Sequence, residues 1–190
     1  GAFPTEGPAE DYEIVVFENK FPSLTLPPAE LGALDSELYK TAPAAGICEV
    51  VLYSSEHNSS LAEASVEHIR NLIEVWTDRY LELGSKEEVE YVYIFENKGE
   101  AIGVTLSHPH GQIYAIPFIP PVIATELASA RQHKEEKGTC LYCDILQEET
   151  KDGSRLVVEN EFFAAFVPFF ARYPYEVHLY PKRHLQSFAH

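Results

Sequence analysis

Two histidines separated by one proline, in the run His108-Pro109-His110-Gly111-Gln112, are the residues of this 190-residue chain best suited to do chemistry. In an extended segment residues i and i+2 share a side, so His108 and His110 are expected to project together while Pro109 fixes the backbone between them. Gly111 is expected to let a ligand approach the main chain, and Gln112 brings an amide donor to the same face. An imidazole with a free pKa near ~6.5 is largely neutral at pH 7 and can attack phosphorus without first losing a proton. The phosphoramidate so formed is a reactive group carrier. The same five residues would also serve as a loop with two surface or capped histidines, and their spacing alone leaves both readings open.

A second set is Cys140-Leu-Tyr-Cys143, a spacing suited to a metal or redox site. With three Cys in all, a disulfide framework is not expected, and the pair reads either as ligands or as free thiols at a helix start. The net charge of −16 argues against nucleic acid and anionic membrane as partners. Hydrophobic residues make up 45% of the chain, enough for one core or two small ones. No run is long and apolar enough for a membrane span, and the first residues lack a signal-peptide pattern, so a cytoplasmic protein is expected. Walker A, GxGxxG and GxSxG patterns are absent, which removes the usual kinase, dinucleotide and serine-hydrolase hypotheses. The absence of Met suggests a chain incomplete at its start, its end or internally.

These residues need elements to position them. Strands are expected at 12–17, 47–53, 90–95 and about 111–116, bounded by Pro, Gly and Asn signals. From Leu61 the apolar positions Val66, Ile69, Leu72, Ile73, Trp76, Tyr80 and Leu83 recur at three and four, predicting a helix capped by Ser59 or Ser60 and ending at Gly84. A second helix is expected over 123–137, stopped by Gly138. Asn58-Ser59-Ser60 fits a glycosylation sequon but reads better as a cap, and Trp76 reads as core.

The chain also repeats itself. Glu49-Val-Val-Leu-Tyr-Ser-Ser-Glu-His57 recurs as Glu176-Val-His-Leu-Tyr-Pro-Lys-Arg-His184 at a constant offset of 127 residues. Upstream, Val15-Val16-Phe-Glu18-Asn19-Lys-Phe21 is echoed by Val157-Val158-Glu159-Asn160-Glu-Phe162. Two copies of one α+β module are therefore expected, each with an antiparallel sheet and a long helix, the first over 1–122 and the second beginning within 123–190 and truncated.

The segment Tyr93-Ile-Phe-Glu96-Asn97-Lys-Gly99-Glu-Ala-Ile-Gly103-Val104-Thr105-Leu-Ser-His108-Pro-His110-Gly-Gln112 closely resembles the active-site region of galactose-1-phosphate uridylyltransferases, members of the histidine-triad superfamily built from two histidine-triad-like halves. The likeness extends over nearly the whole chain. It implies UDP-glucose–hexose-1-phosphate uridylyltransferase activity in the Leloir pathway, with ping-pong transfer of UMP through a covalent uridylyl-histidine. UDP-glucose, galactose 1-phosphate, UDP-galactose and glucose 1-phosphate would be the partners, in a homodimer. A related adenylyltransferase or phosphorylase acting on ADP-sugars or dinucleoside polyphosphates, or a nucleotide-binding module without turnover, are the alternatives.

By the same resemblance His110 is the nucleophile and Gln112 holds the phosphoryl oxygens. Asn97, Gly103, Val104 and Thr105 match the stretch lining phosphate and nucleoside, and Phe17, Asn19 and Phe21 match the segment contacting uridine. An Asp usually follows that Asn, whereas this chain has Lys20, and Leu106-Ser107 replaces the common Asn-Pro. His57 and His108 match two ligands of a structural zinc site whose Cys pair usually precedes the first strand. This chain has no Cys before Cys48, so those ligands lie outside it or this zinc is lacking. Cys140, Cys143 and His184 match zinc ligands of the second half. Glu126 matches a carboxylate that binds a second metal in some members, but reads better as a solvated helical residue. No organic cofactor is implied.

Overall fold

The computed structural model describes residues 11–30, 36–102, 108–187, 189 and 190, and the chain divides into two compact units that meet in sequence between Ile119 and Pro120. The first unit is a four-stranded antiparallel sheet with one long helix. Its strands β1 (Val15–Glu18), β2 (Ile47–Leu52), β3 (Tyr91–Phe95) and β4 (His110–Ile116) lie in the order β1-β2-β4-β3. Alternation along each strand separates two faces. Val51, Ile113 and Ala115 are fully buried on one of them and pack with Leu72 and Leu83 of α1 (Val66–Gly84). Each such aliphatic burial removes about 2 kcal/mol worth of apolar surface from water, and together they fix which face of the sheet is inward.

The register then decides what the other face carries. Gly111 sits opposite Val51 on the buried side, so His110, opposite Leu52, and Gln112, opposite Val50 and Phe95, lie on the open side. There they join an aromatic row on β3, in which Phe95 stacks on Tyr93 at 5.0 Å and meets Tyr114 edge-on at 5.1 Å. Phe17, opposite Val50, continues the same face onto β1.

Helix α1 begins later than the apolar spacing suggests. Residues 61–64 form turns, and the cap is Ser65, whose hydroxyl accepts from the His68 N–H. Ser59 and Ser60, the expected caps, instead donate to the Glu56 carbonyl and the Glu63 carboxylate. Arg79 of α1 reaches across to the buried Glu49 of β2 through Nε at 2.9 Å and a second guanidinium nitrogen at 2.5 Å. That carboxylate holds the guanidinium pKa above its ordinary value, so the guanidinium stays charged.

The second unit has helices α2 (Pro121–Lys137) and α3 (Leu141–Asp152) before a three-stranded antiparallel sheet, β5 (Leu156–Glu159), β6 (Phe163–Phe166) and β7 (His178–Pro181), in the order β5-β6-β7. Gly138 ends α2 with φ +77°, the left-handed turn that glycine adopts without strain. Its core is Leu146, Ala164 and Phe166. The buried Glu149 accepts from Arg155 Nε at 2.8 Å and from the Phe169 N–H at 2.9 Å.

The repeated segments occupy β1 and β2 in the first unit and β5 and β7 in the second. Their topology differs, because β1 pairs directly with β2 whereas β6 lies between β5 and β7. Helix α3 starts at the Cys pair, where a helix start is one of the two readings of the sequence, and has no extent assigned from the sequence.

Candidate functional site

His110 opens β4, and its ring nitrogen Nδ1 donates to the His108 carbonyl at 2.8 Å. A carbonyl only accepts, so this bond fixes the tautomer: Nδ1 carries the hydrogen and Nε2 keeps its lone pair. His110 is half-buried, as is Gln112 two residues on along the same open face. Strand β3 ends at Phe95, opposite Gln112, so the chain leaves the sheet towards Asn97 at the level of His110. Asn97 is exposed.

His108 does not project alongside His110 as the i, i+2 spacing predicts; the two rings have separate surroundings. The His108 ring is buried, its Nε2–H directed at the Ser54 carbonyl at 2.8 Å with the Tyr12 hydroxyl 3.1 Å away. Its Nδ1 lone pair faces His57 Nδ1 at 2.8 Å. A proton bridges such a pair, and a cation could do so after a small separation, since two nitrogens on a tetrahedral zinc are about 3.3 Å apart. The Ser54 carbonyl orients His108 as outer-shell partners orient ligating imidazoles.

Gly111 differs from the expectation of an open approach for a ligand. A Cβ at this position would lie 2.2 Å from the Tyr53 hydroxyl oxygen and 3.0 Å from the ring carbon bearing it. The glycine makes room for a buried phenol on the core side of the sheet, not for a ligand on the open side.

Asn19 uses its side-chain oxygen in a local turn, accepting from the Phe21 N–H at 2.9 Å, and its repeat-mate Asn160 accepts from Phe162 and Phe163 at 2.8 Å each. The shared turn explains why Glu-Asn recurs in both copies. Phe17 and Phe21 are exposed, and Lys20 lies 5.9 Å from the Phe21 ring centre. Gly103, Val104 and Thr105 lie outside the described residues.

In the second unit Cys140 caps α3, Cys143 lies in its first turn, and His184 follows β7. Their ligating atoms all lie within 4.8 Å of one another, with Cys143 Sγ and His184 Nδ1 3.2 Å apart. Sulfur and nitrogen on a tetrahedral zinc are about 3.5 Å apart, so this group fits a metal ion with little movement. Burial, and then the neighbouring Cys140 sulfur, push the Cys143 thiol pKa up. Glu126 is not a member of this group. It lies on α2 beside the same cavity of about 1140 Å³, and with burial and Tyr142 it helps push the Tyr180 pKa up to about 12.

Several contacts around these sites have no signature in the sequence. Tyr12 reaches His108 across 96 residues, and His68 donates from Nε2 to the Tyr53 carbonyl at 2.6 Å. Asp144, next to Cys143, accepts from His133 at 2.6 Å and from the Thr139 hydroxyl at 2.5 Å, tying α2 to α3 across the Cys140 turn.

Each of the two units is an α+β module, and the first holds a tautomer-fixed imidazole on the open face of its sheet. The sequence profile described as galactose-1-phosphate uridyl transferase, N-terminal domain, matches residues 5–120, and that of the C-terminal domain matches 126–190. The chain belongs to the galactose-1-phosphate uridylyltransferase family.

The enzyme of that name from Thermotoga maritima is 43% identical over 178 residues, covering 94% of this chain and 55% of the relative. The one from Streptomyces lividans is 48% identical over 172 residues, covering 90% and 44%. The chain therefore spans about half the length of the curated relatives it matches. A solved uridylyltransferase superposes with a TM-score of 0.88 at 32% identity, covering all of this chain and 63% of that one. An ADP-glucose phosphorylase from Arabidopsis thaliana, solved with bound ADP-glucose, gives 0.81 at 26% identity, covering 98% and 56%. Among the described residues no helix is long and apolar enough to cross a membrane.

Proposed function

We propose that this chain carries the nucleotide-transferring site of a UDP-glucose–hexose-1-phosphate uridylyltransferase of galactose metabolism, acting in the cytoplasm as a homodimer. The observation that carries the reading is the 2.8 Å bond from His110 Nδ1 to the His108 carbonyl, which leaves Nε2 to act as the nucleophile on the face it shares with Gln112. Nε2 attacks the α-phosphorus of UDP-glucose, the bond from that phosphorus to the bridging oxygen breaks, and glucose 1-phosphate leaves. An oxygen of galactose 1-phosphate then attacks the same phosphorus, the P–N bond breaks, and UDP-galactose forms. Dividing the exchange in this way lets both sugar phosphates use one pocket in turn. Gln112 donates to the phosphoryl oxygens as charge builds on them. Asn97 and the 103–105 segment, with Phe17, Asn19 and Phe21, are assigned to the nucleotide on family resemblance, Asn19 through its remaining amide donor.

Cys140, Cys143 and His184 would hold a zinc ion in the second unit, and His57 and His108 would contribute two ligands of a zinc in the first. Bound there, zinc supplies structural cross-linking of a strand end to its neighbours. Thiolate and imidazole donors favour zinc among common metals. Glu126 is assigned no metal in this reading.

Intact mass after incubation of the full-length protein with UDP-glucose tests the assignment. One uridylyl group is expected on His110 with stoichiometric release of glucose 1-phosphate, and none in His110→Ala. The likeness to a protein crystallised with ADP-glucose makes adenylyl transfer the alternative. An adduct formed faster from ADP-glucose than from UDP-glucose would establish it.

A further inference from the structure

The chain has three cysteines and none is bridged. Cys48 is 2% exposed within β2, out of reach of solutes. The other two are placed differently: Cys143 is exposed, Cys140 is half-buried, and their sulfurs lie within 4.8 Å of each other.

Local structure explains the approach. Cys140 is the N-cap of α3 and Cys143 its third helical residue, and a cap side chain faces the third residue of the helix it opens. The bond from the Asp144 N–H to the Cys140 carbonyl, at 3.0 Å, closes that turn. A clamp brackets the pair, because Thr139, just before Cys140, and His133 of α2 both donate to the Asp144 carboxylate, just after Cys143. None of these contacts involves a metal. A tetrahedral zinc needs four ligands, and among the described residues three groups converge here. A dithiol needs only its two sulfurs and a path for the oxidant, and both are present.

We propose that Cys140 and Cys143 are a reversible redox pair, closed by low-molecular-weight disulfides, and that closure releases His184 at the end of β7. The exposed Cys143 thiol gives its proton to solvent and its sulfur attacks the oxidant. A mixed S–S bond forms, the oxidant's own S–S bond breaks, and one small thiolate leaves and takes up a proton. The Cys140 thiol, losing its proton likewise, attacks the Cys143 sulfur, the mixed bond breaks, and a second small thiol leaves. Two protein thiols are oxidised and one small disulfide is reduced. Cys143, which lies 3.2 Å from His184 Nδ1 in the reduced chain, is then bonded to Cys140 instead. The pair stands on its own geometry; only its exclusion of zinc, which needs the same two sulfurs, rests on the metal reading above.

Oxidised glutathione tests this on full-length protein freed of metal by a chelator. The intact mass should fall by two hydrogens, with the loss in the peptide 138–151 and reversal by dithiothreitol. Cys48 should stay reduced and alkylate only after unfolding. Cys140→Ser should stop at one glutathione on Cys143. Any Cys-x-x-Cys closes to some extent in a flexible chain, so the native rate of closure from the mixed disulfide is compared with that in urea, and should be about tenfold faster or more. Zinc added beforehand should slow the oxidation of wild type, and should protect His184→Ala several-fold less. Closure no faster than in urea, glutathione retained on both cysteines, or reaction at Cys48 at the same rate would overturn the redox pair. If zinc gives wild type no protection, the metal reading fails, and the zinc-free comparison alone decides the redox pair. The chemistry of His110 enters none of these measurements.

Discussion

At the level of single residues, the proposed transfer gives His110 and Gln112 different roles. Gln112 sits two residues beyond His110 on the same face, where in that proposal it would meet charge that develops during transfer. Loss of one preorganised donor of this kind costs on the order of 10²-fold in rate. Gln112→Ala is therefore expected to slow adduct formation far more than it weakens UDP-glucose binding, as single-turnover and equilibrium measurements would show. Equal losses in rate and affinity would make Gln112 a uniform binder. Gly111→Ala is a different matter, since its Cβ would overlap the Tyr53 hydroxyl. Overpacking of this kind costs ~1–3 kcal/mol, readable as a lower urea midpoint, and Tyr53→Phe in the same chain, which removes the clashing oxygen and keeps the core ring, should recover part of it. The His-Pro-His-Gly-Gln run was legible because its chemistry lies within five residues. The reason for its glycine was not, because the clashing atom belongs to a residue 58 positions earlier that only strand pairing brings alongside.

At the level of elements, one ion pair and one carboxylate clamp set how helices meet their neighbours. Arg79 fixes α1 to β2 through Glu49, which is buried while Arg79 is largely so. Removing one member leaves an uncompensated charge, at a cost of roughly 3 kcal/mol, whereas replacing both with apolar residues of similar volume is nearer to neutral. Urea melts of Glu49→Leu, Arg79→Met and the pair together should show that pattern, with the double variant the more stable of the three. In the second unit, the Thr139 hydroxyl and then His133 hold the Asp144 carboxyl below its ordinary value of 3.8. A carboxyl lowered on folding contributes stability that is fully present above its unfolded value and lost as pH falls through the folded one. Thermal melts between pH 5 and 2 should therefore fall less steeply for Asp144→Asn than for wild type. Sequence periodicity found α1 because its apolar stripe faces a sheet, yet misplaced its start by about one turn. Leu61 packs against the core from a turn and so mimics a helical position. It missed α3 because the Cys pair and the acidic residues between Leu141 and Asp152 hid a stripe of only Ile145 and Leu146.

At the level of the whole chain, the repeat pairs His57 with His184, and in the structure each follows a strand but meets a different partner. His57 follows β2 and meets His108, while His184 follows β7 and meets Cys143. The offset of 127 residues was thus informative about strand ends, but blind to β6, whose insertion between β5 and β7 has no counterpart between β1 and β2. A metal at Cys140, Cys143 and His184 would join the α2–α3 turn to the end of β7, two places otherwise 41 residues apart in sequence. Its binding energy would then be folding energy of the second unit, and the nucleophile of the first unit would not depend on it. Cys140→Ser together with Cys143→Ser is accordingly expected to remove one zinc per chain by elemental analysis and to lower the melting temperature, while adduct formation at His110 keeps its rate within a few-fold. Chelator treatment of the wild-type protein should reproduce the thermal shift, and readdition of zinc should reverse it in wild type only. Unchanged zinc content in the double variant, or wild-type protein that is free of zinc with both thiols alkylated at the rate of exposed cysteines, would show that the pair binds no metal.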